Sequence, residues 1–592
     1  MPRRFFAAGL AAGLLCAAAL HAQETPPSVV RLRGLIDRDQ RWSGTVLITD
    51  DVTIQDATVT VAAGTVVEFA VKTPGHFPTL TVGTAEQAGG DLRVEAAADR
   101  PVVFRTRADT NAGRLVVNVR SRPAPRRLGA GGVIGEPSPP QPNESVWAYV
   151  RFEGLGAADG RSAGEAAPGG RPASGRRAAA PAVLFHAVGG PHTLNLAGCT
   201  FTDCGRLTIR AGDGAAVAVV GSRFVDPRER VAVEVFGRAG ERPVEQINIT
   251  RNTASAAIRV QGASSRVMDN LLIGRDAAIL IEDDDSPRTR IAGNCVHNTT
   301  PDDDGRYALN CGNPDAAIEG NLLRGGTACV WSGSRRMSGN VLIGAGGLAS
   351  RYVKNARTHQ LVQSLPDGAV FEGNLLLGPA YSLVVAQPAA SASVAGGEAG
   401  IVLRHNVFDG LAATNRAVQV GAAGRPSVPV ALEGNLFLRL PALVYDESRG
   451  EAAPVRLEGN AAAPPPRTTG PHAAPSPRTT RPAAEAGSDE SSVGTGRMDA
   501  GSRPSRGDAD PSAVDGAQTA GLAVTAADPG ALRLEGEPPA AVADFDEELL
   551  SGRTSVEAVC RRLRSLYRPR ADSPLRRGGS ASAPAAPIGL PD

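Results

Sequence analysis

The residues best placed to do chemistry sit in two loops about fifty residues apart. Thr299-Thr300-Pro301-Asp302-Asp303-Asp304-Gly305-Arg306-Tyr307 sets three consecutive carboxylates beside an arginine. Arg351, Tyr352, Lys354, Arg357 and His359 make up a long basic counterpart. Carboxylate oxygens are hard donors, so Asp302, Asp303 and Asp304 form a set suited to calcium. Two of these Asp residues could instead serve as acid and base in glycoside hydrolysis, a task for paired carboxylates. The bland alternative is that an Asp run in an exposed turn is simply solvated. A second acidic run, Glu282-Asp283-Asp284-Asp285, follows the apolar stretch Ala278-Ile279-Leu280-Ile281. It reads as a solvated turn, with a surface calcium site as the sharper option. His186, His192, His297 and His405 have no ligand spacing and read as structural. The sequence shows no Ser-His-Asp pattern, no phosphate loop and no stripe of aromatics on which a sugar could stack.

The elements that must position these loops are repeats. An apolar residue, two spacers, an Asn and two apolar residues recur at Ile318–Leu323, Met337–Leu342, Phe371–Leu376 and Leu432–Phe437. Looser copies centre on Asn252, Asn270, Asn294, Asn406 and Asn460, with Cys199 and Ser222 in the same slot earlier. The steps run from 18 to 34 residues, the range of a solenoid coil. Each copy reads as two short strands meeting at a bend that Asn and Gly tolerate. Stacked coils put the Asn amides in file, each bonding the next and satisfying buried polar groups. The apolar residues three before and two after each Asn point inward. At about 4.8 Å per coil, the rungs from 199 to 460 make a rod of roughly 48 Å. A β-sandwich is the competing architecture, but it has no reason to repeat one phrase.

On this frame the loops after Asn294, Asn321 and Asn340 occupy equivalent turns. The acidic and basic loops then stand two coils apart, roughly 10 Å. The short Arg324-Gly325-Gly326 loop forms a floor between them, a shape for an acidic polysaccharide. On the outer face, Glu372, Arg404 and Glu433 hold one slot in successive coils, so opposite charges stack. Glu458 follows Glu433 as a like-charge step.

Composition agrees. Of 592 residues, 69 are Gly and 45 Pro, and aromatics are 4%, as suits a thin-bored, turn-rich β-structure. The formal net charge of +1 gives no reason to expect nucleic acid. Arg3 and Arg4 ahead of the apolar run Phe5–Leu20 read as a signal peptide over 1–22, cleaved after Ala22, so the mature chain is exported. No later stretch is long and apolar enough to span a membrane. The other cysteines, Cys199, Cys204, Cys295, Cys311, Cys329 and Cys560, read mostly as small buried residues, with Cys199–Cys204 the most plausible bridge. The absence of C-x-x-C argues against zinc.

Ahead of the main stack, Gly64-Thr65-Val66-Val67-Glu68-Phe69, Leu80-Thr81-Val82, Pro101-Val102-Val103-Phe104 and Trp147–Phe152 form a strictly alternating series. With the Gly-Asn-apolar phrase, this series resembles the secreted bacterial right-handed parallel β-helix proteins of the pectate-lyase-like superfamily. The resemblance implies an all-β right-handed parallel β-helix solenoid, to which composition adds disordered inserts and apolar spacing a short C-terminal helix. The expected layout is N-terminal coils over 41–155 (insert 121–144), an insert over 156–181 and the main helix over 183–460. A disordered Pro/Thr/Arg/Ser-rich linker over 461–541 and a closing segment over 542–592 follow. The closing segment has a helical pattern from Asp544 to Leu566. It also carries Ser573-Pro574…Gly578, similar to a family phrase that implies a tail returning over the last coil.

Function follows as two expectations. The first is an exported cell-surface or extracellular protein that contacts carbohydrate and carries no catalytic motif. The second is a polysaccharide lyase or glycoside hydrolase acting on an acidic glycan through Asp302, Asp304, Arg306, Lys354 and Arg357. The resemblance to β-helix lyases implies calcium at Asp302–Asp304, bridging to a uronate carboxylate, with Lys354 or Arg357 as the base of an elimination. The partner in both is a polysaccharide. The sequence leaves oligomeric state open.

Overall fold

The computed structural model describes residues 29–576 with breaks, the longest at 120–142, 157–180, 345–359, 387–399 and 464–521. Among the described strands every ladder is parallel and links one coil to the next, which excludes a sandwich. The chain is a parallel β-helix. Its first coil opens earlier than expected, at Val29–Ile36, which pairs with Thr45–Ile54.

Each coil contributes a strand to three sheets. Sheet A holds the strands before the bend, from Asn143–Ala148 through Val455–Glu458. Sheet B holds the short strands just after it, from Arg151–Glu153 through Asn460–Ala463. Sheet C returns the chain, from Val183–Ala187 through Val444–Asp446. Nearer the N-terminus, B continues through Val103–Thr106 and Val66–Phe69 and C through Arg114–Val119 and Thr79–Val82, and both merge in the long strand Thr45–Ile54, which pairs in turn with Val29–Ile36.

The bend between A and B is held by nine buried asparagines in file, from Asn252 to Asn460. From Asn252 to Asn435, each Nδ2 donates to the Oδ1 of the Asn in the next coil at 2.9–3.1 Å. The same Oδ1 accepts the backbone N–H of the previous Asn, as from Asn321 to Asn340 at 3.0 Å. Every rung therefore satisfies groups that burial would otherwise strand. Ser222 and Cys199 do share the slot. The Ser222 N–H donates to Asn252 Oδ1 at 2.9 Å, and the Cys199 N–H donates to Ser222 Oγ at 3.2 Å. The left-handed backbone belongs to the residue before each Asn rather than to the Asn: Gly293, Gly320 and Gly373 have φ of 65°, 60° and 60°. Glycine takes that conformation without a Cβ penalty. Arg251, Asp269 and His405 take it with one.

The bore is filled as the phrase predicts. Ile318 and Leu323, Phe371 and Leu376, Leu432 and Phe437 are buried in one continuous core. Phe152, Phe201 and Phe224 stack up it at 4.6 Å per step. Glu372, Arg404, Glu433 and Glu458 stand in register outside, with Arg404 on Glu372 at 2.9 Å. All six described cysteines are buried, and the structure joins none of them in a disulfide. The Cys199–Cys204 bridge is not formed, because Cys199 fills the ladder slot with its Sγ toward Trp147 O and Cys204 turns to Phe152 O.

The C-terminal segment departs most from expectation. Within 461–541, read above as linker, Leu522–Thr525 is a strand that extends sheet B beyond Asn460–Ala463, and Leu532 and Leu534 are buried. The helical stretch is two helices, α1 (Asp546–Leu550) and α2 (Val556–Ser565), separated at Gly552 (φ 71°). Ser555 caps α2 by accepting from the Ala558 N–H. The segment lies along the flank of the stack, not across its end. Phe545, Leu549, Val559, Leu563 and Tyr567 pack on the outer side of sheet B, over Leu322, Val341, Leu375, Val407 and Leu436. Ser573 of the closing phrase donates to Leu532 O and accepts from the Leu575 N–H, which ties the tail to itself.

Candidate functional site

The predicted site residues Asp302, Asp303, Asp304, Arg306, Lys354 and Arg357 lie outside the described residues, as does the signal peptide. What the structure gives is where their loops start and finish. Both loops leave sheet B and enter sheet C. Tyr307 opens the strand Tyr307–Cys311, and Gln360 opens Gln360–Val362. Tyr307 pairs with Ala328 and Ala328 with Gln360, so the loop ends share a row two coils apart, as the repeat spacing implied.

Alternation along the sheet C strands sends every second residue out, and three groups line up on that outer face. The first is an ion-pair chain. Arg206 approaches Glu234 at 3.3 Å, Arg259 approaches Glu234 at 3.4 Å and Glu282 at 3.0 Å, and Gln261 donates to Glu282 at 2.6 Å. The Glu282 head of the second acidic run is thus committed to Arg259 and Gln261, while Asp283–Asp285 lie outside the described residues.

The second group is a groove of about 640 Å³ lined by His186, Arg210, Phe236, Arg238 and Gln261. These come from successive rungs: His186 pairs with Arg210, Arg210 with Phe236 and Phe236 with Gln261. The Arg210 guanidinium lies over the Phe236 ring at 5.8 Å, a cation–π arrangement that keeps the charge facing the groove. Burial first, and then Arg210, lower the pKa of Arg114 nearby.

The third group is aromatic. Tyr307 and Trp331 stack with ring centres 5.7 Å apart and planes within 18°, and Trp331 is 41% exposed. Burial pushes the Tyr307 phenol up. The sequence shows no aromatic stripe because these rings are a full coil apart. The available signal was alternation: Val330 is in the core, which puts Trp331 outside. Phe236 and Trp331 are four rungs apart along sheet C, about 19 Å. A second groove of about 500 Å³ on sheet A is lined by Glu245, Arg266, Arg288 and Arg290, but Arg290 is held by Glu319 at 2.9 Å.

Among the described residues, one group of three could hold a metal: His297 on sheet B, with Asp544 and Asp546 on the C-terminal segment. No helix among the described residues is long and apolar enough to cross a membrane.

No family model and no curated protein matches the chain. Solved structures similar to it include the Azotobacter vinelandii mannuronan C-5 epimerase AlgE6 A-module, at 12% identity over 71% of this chain and 91% of that one, TM-score 0.17. A PL6 alginate lyase complexed with a trisaccharide is 11% identical over 72% and 79% (TM-score 0.19). A double mutant of the periplasmic alginate epimerase AlgG is 7% identical over 72% and 80% (TM-score 0.16). At such scores the likeness adds nothing to what the strand register shows.

Proposed function

We propose that this β-helix is an exported protein that binds an anionic polysaccharide along the outer face of sheet C. The observation that carries the reading is the groove with His186, Arg210 and Arg238 around Phe236. An arginine fork accepts a carboxylate by paired hydrogen bonds, and the exposed face of a ring accepts the apolar side of a sugar. Tyr307–Trp331 offers a second ring surface about 19 Å further along, a span suited to an oligosaccharide rather than a single sugar. Beside the groove the same face carries the Arg206–Glu234–Arg259–Glu282 ion-pair chain.

The reading has a cleaving form. The acidic and basic loops return to this same face at Tyr307 and Gln360. Asp302, Asp303 and Asp304 would hold calcium, Lys354 or Arg357 would remove the proton beside a uronate carboxylate, and Asp302 and Asp304 with Arg306 would complete the site. Hydrolysis by an Asp pair is the other cleaving route.

The test uses the purified mature chain and a panel of polyuronates. Binding that weakens with added salt, and weakens further in Arg210→Ala/Arg238→Ala, supports the reading. Equal binding by neutral and acidic glycans, or no change in the double variant, overturns it. Ultraviolet absorbance of an unsaturated product with calcium present selects the lyase form, and new reducing ends without it select hydrolysis. Binding with neither leaves a carbohydrate-binding protein.

A further inference from the structure

We propose that His297, Asp544 and Asp546 bind a divalent first-row transition metal that fastens the C-terminal cover to the stack. One ligand atom from each residue falls within 4.8 Å of the other two. His297 Nδ1 is 2.6 Å from Asp546 Oδ2, across a separation of 249 residues. The imidazole comes from the outer side of sheet B and both carboxylates from the cover, so the donor set exists only when the two are joined. The apolar contacts of Phe545 and Leu549 hold the cover at that position whether or not an ion is present, which preorganises the ligands.

One nitrogen and two carboxylate oxygens suit zinc, manganese or iron better than calcium, which takes six or more oxygens. Charge favours a cation too. Among the described residues the two carboxylates face the guanidinium of Arg324, which sits in the rung next to His297 and reaches Asp544 at 3.3 Å. The absence of a C-x-x-C motif therefore does not exclude zinc from this chain, because the donors come from segments the sequence keeps apart.

The experiment strips the intact chain with chelator and adds Zn²⁺, Co²⁺ or Ca²⁺ alone. Bound metal per chain, thermal unfolding and the visible spectrum of the cobalt form are compared with His297→Ala and Asp544→Asn. Asp544 is largely exposed, so the second variant keeps the fold if the first does not. The expected result is that the wild type binds one more equivalent of Zn²⁺ than either variant, shows a cobalt band that the variants lack, and gains a Tm rise that they lose. Equal metal content in all three chains overturns the proposal. An equal Tm rise with Ca²⁺ also overturns it, because that is the response of an ordinary acidic pair.

Discussion

Strands Thr200–Thr202 and Leu375–Leu377 belong to the same sheet, follow the same left-handed glycine bend and pair in parallel with the coils on either side. They face different surroundings. Thr200 and Thr202 flank a buried Phe201 and remain partly exposed, whereas Leu375, Leu376 and Leu377 are all fully buried. The residue directly after the ladder position makes the difference. It is Arg151, Thr200 or Arg223 in the early coils and Leu322, Val341, Leu375 or Leu436 in the later ones. The ladder shapes the coil. The next residue decides whether the outer side meets water or a second layer. An apolar outer row would be a liability in water, and here it is the seat of the C-terminal cover.

Several polar contacts among the described residues pin that cover, and the first and largest test breaks one. Asp409 is fully buried, paired with Arg439 and bonded by the Tyr567 hydroxyl at 2.8 Å and the Leu411 N–H at 3.1 Å. Asp409→Ala leaves the Arg439 charge without its partner. It should cost about 3–5 kcal/mol of cover stability, read as faster amide exchange over α2 with early-coil amides unchanged. The second test sets the two strands against each other. Leu375→Ala should cost about 3 kcal/mol by denaturant unfolding, as a buried Leu truncation does. Thr200→Ala should change stability by less than about 0.5 kcal/mol. Equal effects would erase the distinction between bare and covered coils.

The third test uses pH. Burial, then the Asp409 charge, push the Tyr567 phenol well above its ordinary value near 10. A raised folded value means the contact's stability is complete at neutral pH and declines as pH climbs past about 10 toward that value. Tyr567→Phe should lose about 2 kcal/mol at neutral pH and flatten the alkaline decline, seen by pH-dependent exchange over the cover. At the acid end, the Asp546 N–H first and the Arg324 charge after it lower Asp544, against an opposing effect of burial. Its contribution is present at neutral pH and fades as pH falls below the usual carboxylate range. The smallest test sharpens the feature both regions share. His405→Gly replaces a side chain at φ 53° and should add about 1 kcal/mol, while Gly373→Ala should remove a similar amount.

Much of this was legible in order along the chain. The spacing of Asn321, Asn340 and Asn374 was enough to predict a file of amides, because a coil length repeats and parallel pairing then leaves one register. The inward positions followed from it. The flank was not legible. Leu322, Val341 and Leu375 looked like ordinary strand residues, and the pattern from Leu549 to Leu566 looked like one amphipathic helix in a tail bound for the last coil rather than for a flank. The candidate site was legible only in part. The positions of its loops were predicted from coil spacing, whereas Arg210 over Phe236 and Tyr307 over Trp331 join residues a coil apart, for which no local pattern exists.

The sequence by itself determined the coil, since each Asn and the glycine before it act through the backbone next to them and through an identical neighbour one rung away. The tertiary structure alone decided what lies against the coil. His297 meets Asp546 and Asp409 meets Tyr567 across long stretches of chain. Those meetings depend on how the last segment drapes over an apolar row, and that is fixed by packing rather than by repeat length.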